Sequence, residues 1–169
     1  MKDKLYGAPL TSERDGYDWL KSLEHSKNND RVQYDKWAKN LAIAEITGYN
    51  TYLAVVKALQ NPLEQWQGTN LEPYIYHAKK IAGQEAGHYH IVSSWLEVQA
   101  DPVDHEATFA ELDLNERRSE MRLSTIISKS SDPHLIGLAN RLIVDEAYHC
   151  WYTQLVLKEL GDFSLPRLT

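Results

Sequence analysis

Two Glu-x-x-His motifs, Glu85-Ala-Gly-His88 and Glu146-Ala-Tyr-His149, interrupt otherwise apolar helical stripes. In a helix, residues three apart project from one face, one turn apart. A carboxylate and an imidazole set this way can grip one metal ion. A buried carboxylate is costly unless it is paired or bound to metal. Any fold that turns both motifs inward must therefore bring them together around a polar centre. Two such pairs, each joined by a Glu from another helix, form the pattern of a di-metal carboxylate site inside a four-helix bundle.

The rest of the chain supplies that bundle. Val32 to Gln60 carries Trp37, Leu41, Glu45, Gly48, Tyr52, Val55 and Leu59 in alternating steps of four and three, which is bundle spacing. Asn61-Pro62 ends it. Pro73 to Ala100 repeats the pattern with Ala78, Ile81, Glu85, His88, Val92 and Trp95, and Asp101-Pro102 marks its stop. His105 to Lys129 has Phe109, Leu112, Glu116, Ser119, Leu123 and Ile126, on the least apolar face of the four. A fourth helix starts at Asp132-Pro133, with Asp132 as N-cap and Pro133 in the first turn. It runs through Leu142, Glu146 and His149 to Leu160, with Gly161 just past its end. The expected fold is all-α, an antiparallel four-helix bundle in a single domain over 1–169. Its core spans 32–160 and is preceded by an N-terminal extension, 1–31. Within the extension, Asp15 to His25 reads as a short amphipathic helix and Ser26 to Asp30 as a loop.

Glu45, Glu85, Glu116 and Glu146 each replace an apolar residue on an inward stripe, at matched heights. With His88 and His149 they are the expected metal ligands, and two divalent cations would balance four carboxylates. Glu111 and Glu120 compete with Glu116 on the third helix. Glu120 is also placed to swing in as an extra ligand. Asp145, just before Glu146, is expected to accept a hydrogen bond from the non-ligating nitrogen of His88 across the bundle. Gln84 occupies the equivalent position for His149. His90 points away from His88; His77, His105 and His134, near helix ends, read as solvated, and His25 as a loop or helix-end residue. Cys150 reads as a small apolar group facing a neighbouring helix.

Composition removes several classes. A net charge of −6 argues against a nucleic-acid-binding surface. No apolar run is long enough to span a bilayer. Met1-Lys2-Asp3-Lys4 lacks the apolar core of a signal peptide. Cys150 is the only cysteine, so no intrachain disulfide and no Cys-ligated iron site can form. A cytoplasmic protein is the expectation.

From Val32 to Leu160 these motifs resemble the ferritin-like di-iron carboxylate superfamily. The Asp145-Glu146-x-x-His149 form is similar to its oxygen-activating branch, which includes monooxygenase hydroxylases, acyl carrier protein desaturases and ribonucleotide reductase small subunits. Storage ferritins lack the second full Glu-x-x-His, and the Cys-rich rubredoxin domain of rubrerythrins has no counterpart here. Val92 stands where the reductases carry their radical tyrosine. The resemblance implies two iron ions, with manganese or a mixed pair as variants, and O2 as co-substrate. It implies an oxygenase or oxidase acting on a small or slender organic substrate, served by an external electron donor. Gly48, Gly83, Gly87 and Ser119 would leave room beside the metals. Rival expectations are a ferroxidase or peroxide-detoxifying protein and a non-enzymatic bundle subunit. Homodimerisation is compatible with each.

Overall fold

The computed structural model describes residues 13–168. Met1 to Lys4, read above for a leader, lie outside the described residues. The described chain is an all-α bundle without a β-strand. Its helices are α1 (Glu13–Asn29), α2 (Arg31–Gln60), α3 (Glu72–Leu96), α4 (Phe109–Lys129) and α5 (Pro133–Leu160), with a 3-10 turn at Glu64–Trp66. No described helix is long and apolar enough to cross a membrane.

Local chemistry sets most of the boundaries. Asp30 caps α2 by accepting a hydrogen bond from Gln33 N. Asp132 caps α5 by accepting from His134 N and Leu135 N, with Pro133 in the first turn, where no amide proton is needed. Two boundaries differ from the sequence expectation. The second bundle helix stops at Leu96 rather than Ala100, because Glu97 adopts a left-handed conformation (φ 54°). Tyr89 Oη then holds the departing chain through both the N–H and the carbonyl of Ala100. The third starts at Phe109 rather than His105. Thr108 and Glu111 form a reciprocal capping box that spends Glu111 on its own helix end.

The expected loop at Ser26 to Asp30 is a third correction. Helix α1 continues to Asn29, and only Asp30 separates it from α2. Ser26 Oγ bonds back to Ser22 O, which suits a helical turn. Helix α1 packs against α2 and α4 and buries Leu20 and Leu23. Residues 13–29 are therefore part of the packed bundle.

The apolar core divides into two clusters. One contains Leu20, Ala42, Val92, Leu123, Leu135 and Leu142. The other contains Tyr52, Ile81, Phe109, Leu112, Tyr152 and Val156. Each of the four long helices thus passes from one cluster to the other, and a polar layer separates them. Order along the chain gives the directions: α2 and α5 run one way, α3 and α4 the other. Helix α3 packs on both α2 and α5, and α4 packs on α5. Since α3 ends at the first cluster and α4 begins at the second, residues 97–108 cross back along the bundle. Val103 N donates to Thr47 Oγ1, and Thr51 Oγ1 donates to Glu106, so this crossover lies on α2. The C-terminal segment closes the far end. Phe109 N donates to Phe163 O, and Trp66 sits edge-on to Phe163 with its indole N–H on Leu160 O.

Candidate metal centre

The polar layer between the two clusters is built by helical period. Glu45 faces inward from α2, Glu85 and His88 from α3, Glu116 from α4, and Glu146 and His149 from α5; all six are buried. Their ligating atoms form two overlapping groups. Glu85, Glu116, Glu146 and His149 make one, and Glu45, Glu85 and His88 the other; within each group the atoms lie within 4.8 Å of one another. Glu85 belongs to both. His149 Nδ1 is 3.0 Å from Glu85 Oε1 and 3.4 Å from Glu116 Oε2. His88 Nδ1 is 3.4 Å from Glu45 Oε2 and 3.7 Å from Glu146 Oε1. The two imidazole centres are 5.7 Å apart.

The opposite faces of both rings are clamped. His88 Nε2 lies 3.0 Å from Asp145 Oδ2, and His149 Nε2 lies 3.3 Å from Gln84 Oε1. Gln84 Nε2 donates to Asp145 Oδ1 at 2.6 Å. Since Gln84 spends its amide N–H on Asp145, its carbonyl must accept from His149. Both Nε2 atoms therefore carry a proton, and it is the Nδ1 atoms, turned to the carboxylates, whose lone pairs would be offered to a metal ion. Gln84 and Asp145 thus join the two histidines through one hydrogen-bonded chain.

The donor set fits a pair of divalent cations. His88 Nδ1, His149 Nδ1 and Glu146 Oε2 are buried without a hydrogen-bond partner. Native interiors seldom leave such atoms unsatisfied, and metal coordination would satisfy all three. Without metal the charges disturb one another. Burial would push His149 down, but Glu116 and Glu85 outweigh it and raise it to about 12. Burial likewise opposes the rise of His88, which Glu45 and Glu85 carry to about 9. Burial raises Glu85 to about 7, against the nearby His149 imidazole. Burial and the Glu116 charge hold Glu146 well above the usual carboxylate range.

Neighbouring residues shape the centre. Tyr52 Oη donates to Glu116 Oε1 at 2.6 Å, fixing one oxygen of that carboxylate. Gly48 makes room for Glu85: a Cβ there would lie 2.3 Å from Glu85 Oε2. Gly83 and Gly87, expected to open space beside the metals, instead lie on the exposed side of α3 with nothing near a would-be Cβ. A small cavity of about 40 Å³ touches Glu45, Glu85, Glu116 and Glu146, and Gly48 and Ser119 also border it.

The remaining candidates lie elsewhere. Glu120 is half-buried and interacts with Cys150, outside both groups. Burial, then Glu120, raises the Cys150 thiol above its ordinary range. His77 is not solvated as expected: its Nδ1 is hydrogen-bonded to Tyr148 Oη, and its ring meets Trp151 edge-on. His105 is half-buried, with Nδ1 2.7 Å from Glu106 O. His25, His90 and His134 are exposed.

Sequence reasoning missed Glu106. It is buried on the crossover, borders the small cavity, and accepts hydrogen bonds from Thr51 and Asn115. No helical period marks a residue in a linker; the only signal was a carboxylate in a connection long enough to span the bundle. Asp113, also buried, is a structural acid bonded to Thr153 and Arg117. No protein-family model, curated protein or solved structure matches this chain.

Proposed function

We propose that this chain is a ferritin-like di-iron oxidoreductase, an oxygenase or oxidase acting on a small organic substrate. The observation that carries the reading is the pair of histidines clamped at Nε2, their unpartnered Nδ1 atoms aimed into four buried carboxylates. Two helical hairpins joined by one crossover support the reading, since ferritin-like bundles use one long crossover connection. Two iron ions held there would supply O2 activation, one oxygen atom going to substrate and the other to water, with two electrons from an external donor and two protons from solvent.

The ligand sets divide the residues by role. Glu45 and His88 would hold one ion, Glu116 and His149 the other, with Glu85 and Glu146 between them. Asp145 orients His88 and makes its Nδ1 a stronger donor. Tyr52 holds one oxygen of Glu116 and leaves the other to coordinate. Apolar clusters above and below keep bulk water out. Carboxylate and imidazole ligands also accept manganese.

Anaerobic Fe(II) titration of the purified chain, followed by O2 exposure under optical spectroscopy, tests this. The expected result is two iron ions per chain and a metal-dependent absorbance change on oxidation. Binding of no iron would sink the reading. Turnover of many Fe(II) ions per chain with mineral growth would replace it with a ferroxidase.

A further inference from the structure

A second, larger cavity of about 190 Å³ lies between α1, α2, α4 and α5, on the α1 side of the metal centre. Its wall is apolar, with Trp19, Trp37, Leu41, Leu123, Ile126 and Leu138. Trp37 and Leu41 belong to the α2 stripe, yet they stay half-exposed because they face this space. One side is polar: Gln33, Lys36 and Asn40 form a row on α2, and Arg122 faces the cavity from α4.

Arg122 is the unusual member. Its guanidinium carbon stands 5.5 Å from the centre of the Trp19 ring. Its Nε is buried without a hydrogen-bond partner. Among the described residues no carboxylate pairs with it, and the one neighbouring charge that perturbs it is another cation, Arg118. Burial, then Arg118, lowers it to about 10. A partly buried guanidinium with spare donors and no anion is a ready partner for a carboxylate, which it can grip with two parallel N–H donors.

The cavity borders the metal centre. Ala44 and Ser119 line both it and the small cavity among the carboxylates. Ala44 precedes Glu45. Ser119 lies one turn beyond Glu116, and Arg122 one turn beyond Ser119. From Arg122 to Glu116 is six residues, about 9 Å along a helix. An anion anchored on Arg122 would point its other end at the centre.

We propose that this cavity is the substrate site and that it takes a monocyclic aromatic carboxylate, its carboxylate on Arg122 and its ring toward the centre, beside Leu41, Ala44 and Ser119. The size agrees: an apolar cavity of about 150 Å³ is enough to hold benzene. Lys36 at the rim adds a second positive charge. The inference rests on the oxygenase reading for what happens to the ligand, but the binding itself needs no metal.

The test is titration of the full-length chain with 3-phenylpropanoate and with its neutral amide, 3-phenylpropanamide, followed by tryptophan fluorescence and calorimetry. Both the purified protein and the anaerobic Fe(II)-loaded protein are used. The acid should bind saturably and at least tenfold more tightly than the amide. Arg122→Gln should weaken the acid about ten- to a hundredfold, the size of a charged hydrogen bond, and leave the amide nearly unchanged. Lys36→Gln, on an exposed residue, should cut only acid affinity, by a smaller factor. Ala139→Leu fills the cavity and should abolish binding of both. Equal affinity for acid and amide in the native chain, or full acid affinity in Arg122→Gln, overturns the proposal. Arg122-dependent acid binding by a chain that takes up no iron supports the cavity and removes the oxygenase reading. Iron-dependent O2 consumption without saturable acid binding overturns the cavity proposal and leaves that reading standing.

Discussion

Asp145 accepts hydrogen bonds on both oxygens, from His88 and from Gln84. An asparagine can accept on only one. Asp145→Asn therefore breaks the chain at one link: either His88 loses its acceptor, or Gln84 turns and offers its N–H to the N–H of His149. We expect metal affinity or the rate of reaction with O2 to fall about 10- to 100-fold with the fold retained. Metal titration and stopped-flow mixing would check it, and native values for both would show that this chain of bonds is not functional. Gly48 makes a sharper case. The methyl of Gly48→Ala would meet Glu85 Oε2 at 2.3 Å and turn away the one carboxylate shared by both ligand groups. Alanine is also favoured over glycine within a helix by about 1 kcal/mol. The variant should melt no lower than the native protein yet bind fewer than two metal ions. Two ions bound at native affinity would count against Glu85 as a ligand common to both groups.

At the scale of the element, the turn from α4 to α5 shows how much a few polar atoms contribute. Asp132 caps α5 and is ion-paired with Lys27 of α1, while Glu24 of α1 accepts from Ser130 Oγ and Ser131 N. Helix α1 is thus tied to the turn by two acids. Although burial opposes it, the bond from Lys27 and those from Leu135 N and His134 N hold the Asp132 carboxyl below its usual range. A carboxylate with a depressed folded pKa stabilises the fold above its unfolded value, near 4. That contribution is lost as pH falls through the folded value. Asp132→Ala should cost about 1 kcal/mol near neutral pH, from the cap alone. The gap from the native protein should narrow below about pH 4. Urea denaturation at several pH values reads this directly, and a gap that widened in acid would mean the cap acts by some other route.

For the whole molecule, the polar layer is the point where stability and function oppose one another. Four carboxylates and two imidazoles occupy a plane that apolar residues would otherwise fill. Any ligand that binds only the folded chain stabilises it by mass action, by about 2.7 kcal/mol per site at a hundredfold excess over Kd. Fe(II) or Mn(II) should therefore raise the melting temperature under anaerobic conditions, and a chelator should reverse the rise. Glu146→Gln keeps the shape but removes a ligand whose Oε2 has no other partner. It should lose most of the metal-induced rise while leaving the metal-free melting temperature near native. An equal rise in the variant would place the metal elsewhere.

The sequence alone determined which residues turn inward, because a helix repeats every 3.6 residues and side chains follow that period without help from the rest of the fold. Glu45, Glu85, His88, Glu116, Glu146 and His149 could be set on inward faces for that reason, and Asp145 and Gln84 one step beside them. The cap at Asp132 was legible on the same local grounds. Tertiary structure decided what no period encodes. Residues 26–29 stay helical because α1 docks on α2 and α4, a long-range contact. Glu106 is buried because the crossover lies along α2, and nothing in a linker announces its neighbours. Tyr52 reaches Glu116 across 64 residues. Gly48 rather than Gly83 or Gly87 makes room for a ligand, since only its face meets another helix. The cavity beside Arg122 exists only where α1 leaves the stripes of α2 and α4 incompletely covered, which is a property of how helices pack.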